Sequence, residues 1–530
     1  MMAGVIPPNP VLMVQSTGSG KSAVPLTLAS VDGGVTIVIQ NTLALGSDQC
    51  SKIKLLSASS PKPVKTFQLD TFKNKTELAS LCSSILMHCI HNSTTLIIIF
   101  ASPEALLQTV CIDFVEELVS KKLLQLFCID EIHLFIQFGL SFRKVFQNLR
   151  TSVIHKLKQS NSNHMKIPLL LMTATFNIEY LNLLEKILGI KMLPHNIFWG
   201  SYYSFQKRHI KIEMKYSSQH FKSVCDDVSS ICANNYDNKM IIISSTAKRS
   251  IEIQNKLDLF LDKHEDIKGD TVLVIGSQDT ELKYAYTTQF TNTKFNDIKS
   301  YSSISLCPRF LIGTPGCIGA GLDCDSVTYV KRIGIPSSII DFIQEVGRCG
   351  RSNDDIGIRT NTYSMTFTLN DYVYLVERLF KCKSSIEKES DSNASRNLRI
   401  KNHILTKDEE RNMSINNLNE MCALLFLNKG CIHAYLEAVS GRATTNEPNS
   451  CYIPCHDSCP YCTGEQEKIV KRICRFGMST FLCETMIQNS NGLITPIELA
   501  QKLYDYPNVG IVVYKRIRNS KRPEKKVTHL

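Results

Sequence analysis

The chain has 530 residues, 43% hydrophobic and 21% charged, enough for roughly two to four globular domains whose cores are not limited by length. No apolar run reaches the about 18 residues of a membrane-crossing helix, and no basic-then-apolar leader opens the chain, so a membrane span and a secretory route are not expected. The 20 cysteines are therefore read as reduced core residues or metal ligands, and the net charge of +11, about half of it in the tail Lys515 to Lys526, suits a polyanionic partner.

The first predicted element is a short apolar strand, Asn9 to Val14. Ser16-Thr17-Gly18-Ser19-Gly20-Lys21-Ser22 follows at once, and a helix begins at Ala23. Strand, glycine-rich turn and helix form the context of a phosphate-binding loop. Glycine lets backbone N–H groups approach phosphate, and the helix N-terminus adds a favourable dipole. Thr17, Gly18, Ser19, Gly20, Lys21 and Ser22 are thus candidate ATP-binding residues. Lys21 is expected to reach the β- and γ-phosphates and Ser22 to ligate Mg²⁺. Gln15 stands where the usual loop pattern has its first glycine.

Gly34 to Gln40 and Leu96 to Phe100 read as buried parallel strands with polar clusters after them, Asn41-Thr42 and Ala101-Ser102-Pro103-Glu104. The polar, lysine-rich stretch Ser57 to Thr76 is read as partly looped, and Asp113 to Leu126 has helical spacing. Leu126 to Ile129 is a strand that ends in Asp130-Glu131, with His133 two residues on. Carboxylates there sit at the carboxyl edge of a sheet, where ligands of open α/β sheets bind. Asp130 suits Mg²⁺, and Glu131 suits orienting or deprotonating a water. Phe135, Phe138 and Phe142, closed by Arg143, are read as an aromatic loop able to stack on bases. Leu169 to Met172 is a further strand, ending in Thr173-Ala174-Thr175. The alternation predicts a doubly wound sheet.

A second unit is predicted to start near Phe205, with strands at Lys211 to Tyr216, Lys239 to Ser244, Arg309 to Ile312 and Tyr329 to Ile333. The hydroxyl pair Ser245-Thr246 is read as a phosphate holder. Gly313 to Asp323 is glycine-rich and implies a tight turn. Gln344 to Arg351 carries Arg348 and Arg351, three apart and expected to share a face of a helix or turn, from which they would stabilise charge on a γ-phosphate. Asp371 to Phe380 reads as a helix, Lys383 to Asn412 as a charged linker, and Leu418 to Leu427 as helical. Cys431, Cys451, Cys455, Cys459 and Cys462 then fall within 32 residues, and Cys459-Pro460-Tyr461-Cys462 has the C-x2-C spacing that lets two thiolates share Zn²⁺. Helices over Ile469 to Thr485 and Thr495 to Leu503 precede the basic tail, which could equally be a nuclear address or a solvated end.

The motif order TGSGKS, NTLALGSDQ, ASPEAL, DEIH and TAT resembles the first motor domain of a superfamily 2 helicase, and DEIHLFIQFGLSFR narrows the resemblance to the RecQ family. Gln137, Phe138, Gly139, Phe142 and Arg143 match that family's aromatic loop, with Phe138 in place of its tryptophan. QEVGRCGR and TPGCIGAGLD resemble its second motor domain. The resemblance implies an α/β fold of two tandem RecA-like parallel-sheet domains, followed by a small, mainly helical zinc-binding subdomain. The expected boundaries are 1–204, 205–382, a linker at 383–412, the zinc subdomain at 413–470 and a helical region with a basic tail at 471–530. It implies ATP, Mg²⁺ and Zn²⁺ as cofactors and single-stranded or partly duplex DNA as partner. ATP-driven 3′ to 5′ unwinding, in a nuclear setting of DNA repair and recombination, is the implied role. In that scheme ATP binds between the two sheets, Gln344, Arg348 and Arg351 sense it, and Asp323 links it to nucleic acid. Gln137, Phe138, Phe142 and Arg143 couple DNA to Glu131. The zinc ligands are expected to be Cys431, Cys451, Cys459 and Cys462, with Cys455 as alternative to Cys451. Only 14 residues precede Gln15, short of the family's adenine-recognition segment. A catalytically impaired or mobile-element-derived nucleic-acid-binding protein is therefore the competing expectation.

Overall fold

The computed structural model describes most of residues 10–375 and parts of 417–465. Residues 1–9, 376–416 and 466–530 lie outside the described residues, as do the shorter stretches 17–18, 33, 41–45, 47–48, 51–52, 54–63, 73, 93–94, 139–144, 159–166, 177–179, 201–208, 235–237, 265–266, 268, 293–307, 319–321, 323, 352–360, 369, 373, 418–420, 422–423, 426–430, 440–454 and 456–457. The readings of a linker at 383–412 and of helices at 469–485 and 495–503 fall there. The chain divides into two compact units, Met1–Phe205 with Val439–Arg442, and Gln206–Ala438 with Ala443–Leu530. No helix among the described residues is long and apolar enough to cross a membrane.

The first unit is a seven-stranded sheet with helices in the crossovers. In chain order it runs β1 (Val11–Val14), α1 (Ala23–Asp32), β2 (Gly34–Ile39), β3 (Val64–Gln68), α2 (Lys75–His91), β4 (Leu96–Ala101), α3 (Pro103–Leu106), α4 (Thr109–Ser120), β5 (Leu124–Ile129), α5 (His133–Phe138), α6 (Val145–Ser152), β6 (Leu169–Thr173), α7 (Leu181–Leu188) and β7 (Ile197–Trp199). The strand order is β3-β4-β2-β5-β6-β1-β7 and every pairing is parallel. Runs such as Gly-Val-Thr-Ile-Val-Ile and Leu-Ile-Ile-Ile-Phe-Ala suit this position, because a strand covered on both faces needs apolar side chains throughout. One face packs Val11, Met13, Val38, Ile98, Phe100, Leu126 and Met172 against Val24, Leu26 and Leu28 of α1.

Two expectations need correction in this unit. Part of the predicted loop Ser57 to Thr76 is the edge strand β3, which the apolar criterion missed because Val64–Gln68 is only half-buried. The helix expected over Asp113 to Leu126 runs instead from Thr109 to Ser120. It is ended by a turn at Lys121-Lys122, where Lys122 takes the left-handed φ of 58° and Leu123 N–H closes on the Leu118 carbonyl at 2.9 Å.

The second unit has six parallel strands in the order β10-β11-β9-β12-β13-β8. Its elements are β8 (Ile210–Tyr216), α8 (His220–Asn234), β9 (Lys239–Ser244), α9 (Ala247–Leu261), β10 (Asp270–Val274), α10 (Thr280–Asn292), β11 (Pro308–Gly313), α11 (Pro315–Ile318), β12 (Val327–Ile333), α12 (Ile339–Val346), β13 (Asn361–Phe367) and α13 (Ile432–Val439). Val224, Val228, Met240, Ile242, Ile253, Leu257, Phe310 and Ile312 make its core. Unlike the first sheet, it buries cations in its strands. Lys331 in β12 is fully buried and meets Asp227 of α8 at 2.5 Å, with Ser223 Oγ at 2.8 Å and Ser364 Oγ at 3.1 Å as further acceptors. Burial pulls the Lys331 ammonium below the usual lysine range, and Asp227 opposes that pull.

A buried ion pair contributes little beyond an apolar pair of like size, but removing one partner leaves a charge without compensation. Lys331→Met is expected to lower stability by about 3–5 kcal/mol, and Lys331→Met with Asp227→Leu to recover most of that loss. Urea unfolding of the three chains, followed by far-UV circular dichroism, checks the order.

Candidate nucleotide and metal sites

Parallel pairing brings β5, β6 and β1 side by side, so the segments that follow them meet at one sheet edge. Val14 is level with Thr173, and Gln15 N–H donates to the Thr173 carbonyl at 3.0 Å. The loop after β1 closes on itself. Ser19 N–H and Oγ donate to the Ser16 carbonyl at 3.3 and 2.7 Å, and Lys21 Nζ donates to the same oxygen at 3.3 Å. Gly20 takes φ +82°, a conformation that a side chain would strain. Its carbonyl accepts Ala23 N–H as α1 begins. Thr17 and Gly18 lie outside the described residues. Ser22 Oγ accepts from Gln49 Nε2 at 3.0 Å.

β5 carries Asp130 into a position only 4% exposed. Glu131 follows with φ +50°, one of two non-glycine residues with positive φ among the described residues. Such a backbone costs about 1–3 kcal/mol and persists where neighbours over-determine it. Those neighbours are visible: Asp130 Oδ1 accepts Glu131 N–H at 2.9 Å, and Ile132 N–H donates to the Met172 carbonyl at 2.9 Å. Burial and the adjacent Glu131 carboxylate push Asp130 up to about 7, against the opposing pull of Lys21, the Glu131 N–H and His133. A buried carboxylate beside a serine hydroxyl loop is a hard-oxygen donor set suited to Mg²⁺.

His133 had no assigned role in the sequence reading, yet it joins two motifs. Its Nδ1 lies 2.9 Å from Thr173 Oγ1 and 3.2 Å from Glu131 Oε2. Thr173 Oγ1 donates its single proton to the Thr175 carbonyl at 2.9 Å and accepts Thr175 N–H at 3.1 Å. The His133 ring nitrogen thus stands between the Thr173 hydroxyl and the Glu131 carboxylate, within hydrogen-bond distance of the first and ion-pair distance of the second. The signal in the sequence was a histidine two residues after Glu131 together with Thr-x-Thr after an apolar strand.

The aromatic stretch after DEIH begins as helix α5 rather than as a loop, and Phe135 is fully buried, so it belongs to the core and not to a stacking surface. Gln137 and Phe138 lie on α5, but their side chains fall outside what is described, as do Phe142 and Arg143.

In the second unit β9 lies between β11 and β12, which gathers Ser244–Thr246, Gly313–Thr314 and the start of α12 at one edge. The hydroxyls read as a phosphate holder are engaged internally: Ser245 Oγ accepts from Arg332 Nη2 at 3.1 Å, and Thr246 Oγ1 caps α9 through Arg249 N–H at 3.2 Å. Ser338 caps α12, which stops at Val346, so Arg348 lies in the turn after the helix and Arg351 just beyond it. Arg348 Nη1 donates to the Leu322 carbonyl at 2.6 Å and Arg351 Nε to the Gly347 carbonyl at 3.0 Å. Gln344, Glu345 and Arg348 line a small cavity with Asp341, Ile243, Pro315 and Ile318. Asp323 lies outside the described residues. Sequence reasoning missed Arg332, whose Nη1 meets Glu345 Oε1 at 2.9 Å while Tyr363 Oη donates to Glu345 Oε2 at 2.8 Å. Burial pushes Glu345 up to about 7 against both partners. The available signal was a Lys-Arg pair inside an apolar strand.

Cys431, Cys455, Cys459 and Cys462 bring their sulfurs within 4.8 Å of one another. Among the described residues the cluster holds Cys455, the alternative ligand, while Cys451, the favoured one, lies outside the described residues. Cys455 N–H donates to Cys431 Sγ at 3.3 Å, and Cys459 Sγ lies 3.9 Å from it. Hydrogen bonds from Cys459 and from backbone amides bring Cys431 down to about 4, despite burial. Tetrahedral Zn–S bonds of about 2.3 Å place sulfurs about 3.8 Å apart, so the cluster fits Zn²⁺. Ser458, inside the cluster, accepts Ile212 N–H of β8 at 2.8 Å and His433 Nε2 at 3.4 Å.

Residues 2–183 match the family model described as DEAD/DEAH box helicase. The chain is 26% identical over 345 residues to the RecQ-like DNA helicase BLM of Xenopus laevis, covering 64% of this chain and 22% of that protein. It is 24% identical over 341 residues to the putative ATP-dependent DNA helicase Q1 of Caenorhabditis briggsae, covering 64% and 48%. The chain therefore spans less than half the length of either relative. Among solved structures it is similar to the DEAD-box helicase Mss116 bound to single-stranded RNA and UDP-BeF, at 14% identity and TM-score 0.48 over 82% of this chain and 84% of that one. It is also similar to the Mycobacterium smegmatis helicase Lhr bound to single-stranded DNA and AMP-PNP, at 14% and TM-score 0.47 over 71% and 46%.

Thr173→Val removes the hydroxyl that serves His133 and Thr175 while keeping its shape. It is expected to cost about 1–3 kcal/mol, the penalty for leaving buried polar groups unpaired. A fall in the urea midpoint of the first unit, read by hydrogen exchange at Ile132 to Leu134, measures it.

Proposed function

We propose that this chain, a RecQ-like member of helicase superfamily 2, hydrolyses ATP and uses the energy to move 3′ to 5′ along single-stranded DNA and unwind duplexes. One observation carries the reading. The loop that ends in Lys21-Ser22, the pair Asp130-Glu131 and the Thr173–Thr175 turn meet at the carboxyl ends of three adjacent strands. The names of both curated relatives specify DNA.

In this reading the loop amides and Lys21 hold the β- and γ-phosphates, and Ser22 and Asp130 are the residues that would hold Mg²⁺. When bound, Mg²⁺ neutralises phosphate charge. Glu131 orients the attacking water and takes its proton, with His133 Nδ1 3.2 Å from that carboxylate. Gln344 and Arg348 sense the nucleotide, and Arg351 supplies positive charge to the γ-phosphoryl group as it separates. Asp323, Gln137, Phe138, Phe142 and Arg143 report nucleic-acid contact to that chemistry. Zn²⁺ on Cys431, Cys455, Cys459 and Cys462 is structural, because four protein ligands leave no place for water.

ATP hydrolysis measured with and without single-stranded DNA tests the motor. DNA is expected to stimulate turnover, and Lys21→Ala and Arg351→Ala to lower kcat by about 10³-fold or more; a wild type indifferent to DNA sinks it. For zinc, atomic absorption is expected to find one equivalent in the wild type and in Cys451→Ser, and none in Cys455→Ser.

A further inference from the structure

Gln40 directly follows strand β2, and Gln40 and Gln49 are both buried, 2% and 9% exposed. Their amides form a chain. Gln40 Nε2 donates to Gln49 Oε1 at 2.6 Å, and Gln49 Nε2 donates to Ser22 Oγ at 3.0 Å. Gly46 sits over this chain, where an added Cβ would come within 3.1 Å of Gln40 Oε1. Two buried primary amides are costly unless each polar atom is used, and Gln40 Oε1 has no partner among the described residues. A purely apolar pair would close the same gap without that cost. The arrangement therefore points to a task for the amide that faces Ser22.

A serine oxygen has two lone pairs and one proton. An amide N–H can only donate, so Gln49 occupies one lone pair and cannot take the serine proton. The hydroxyl is left with one lone pair and its proton, both aimed away from Gln49. This is the state a serine needs to bind a metal through its second lone pair. Gln40 in turn fixes which end of the Gln49 amide faces Ser22. We infer that Gln49, held by Gln40, is a positioning residue that presents the Ser22 oxygen to Mg²⁺ in the nucleotide complex. The inference rests on the proposed phosphate-loop role of Ser22.

The test is the affinity of the full chain for a fluorescent mant-ATP, titrated with and without Mg²⁺. The wild type is expected to bind more tightly with Mg²⁺. Gln49→Met keeps length and removes the donor, and it is expected to cut that Mg²⁺-dependent ratio about tenfold, the size of effect seen when a metal ligand loses its supporting hydrogen bond. Gln40→Met, which leaves Gln49 in place, is expected to cut it about threefold and covers the case of a Gln49→Met chain that fails to fold. In a Ser22→Ala background Gln49→Met is expected to have no further effect on the ratio. A ratio unchanged in both single variants, or an equal loss with and without Ser22, overturns the inference alone. A wild type whose mant-ATP binding ignores Mg²⁺ overturns the phosphate-loop reading and the inference together.

Discussion

Parallel pairing of β1 with β6, and of β6 with β5, is the constraint on which the rest of the first unit depends. A parallel sheet points every strand's carboxyl end to the same edge, so residues distant in the chain share one surface without any contact specific to them. Val14 levelled with Thr173 and Ile129 with Leu171 set the phosphate loop, the acidic pair and the Thr-x-Thr turn within reach of one another. The apolar runs that permit this pairing are therefore as much a condition of the site as its polar residues. Glu131 adds a second condition, since its left-handed backbone holds only while the Asp130 carboxylate and the Met172 carbonyl hold the turn.

The two sheets solve burial differently. The first is almost wholly aliphatic inside. The second threads Lys239, Arg309, Lys331 and Arg332 through its strands at 2% exposure or less. Each finds oxygen: Lys239 at the Phe290 carbonyl, Arg309 at the Asn238 carbonyl, Lys331 at Asp227 and Arg332 at Glu345. Buried cations contribute less to net stability than to selecting one packing, because any other arrangement leaves them unpaired. Arg332 ties this selection to the Gln344–Arg351 segment through Glu345.

The fold class was legible because its strands are long apolar runs. Leu169–Thr173, Lys239–Ser244 and Pro308–Gly313 stand out by composition alone. The edge strand β3 did not, since Val-Lys-Thr-Phe-Gln is half-wet and carries no run. The end of α4 was hidden for another reason: a lysine, where glycine would have been the cue, holds the left-handed turn. At the site, residue types and order were readable, but hydrogen-bond direction was not. That His133 lies between Thr173 and Glu131, that Ser245 accepts from Arg332, and that Cys455 joins the cluster among the described residues are matters of tertiary placement. The spacing between Cys451 and Cys455 leaves both open.

The bond from Ile212 to Ser458 has a meaning beyond the cysteine cluster. β8 is an outer strand of the second sheet, and an outer strand offers unpaired amides to any extended chain nearby. Ser458, next to Cys459 in the cluster, occupies one of those amides through its carbonyl. The cluster is thus also a guard on the sheet's margin. A chain that loses the order of this loop regains a template for edge-to-edge association, so that self-aggregation would follow from damage far from the nucleotide chemistry.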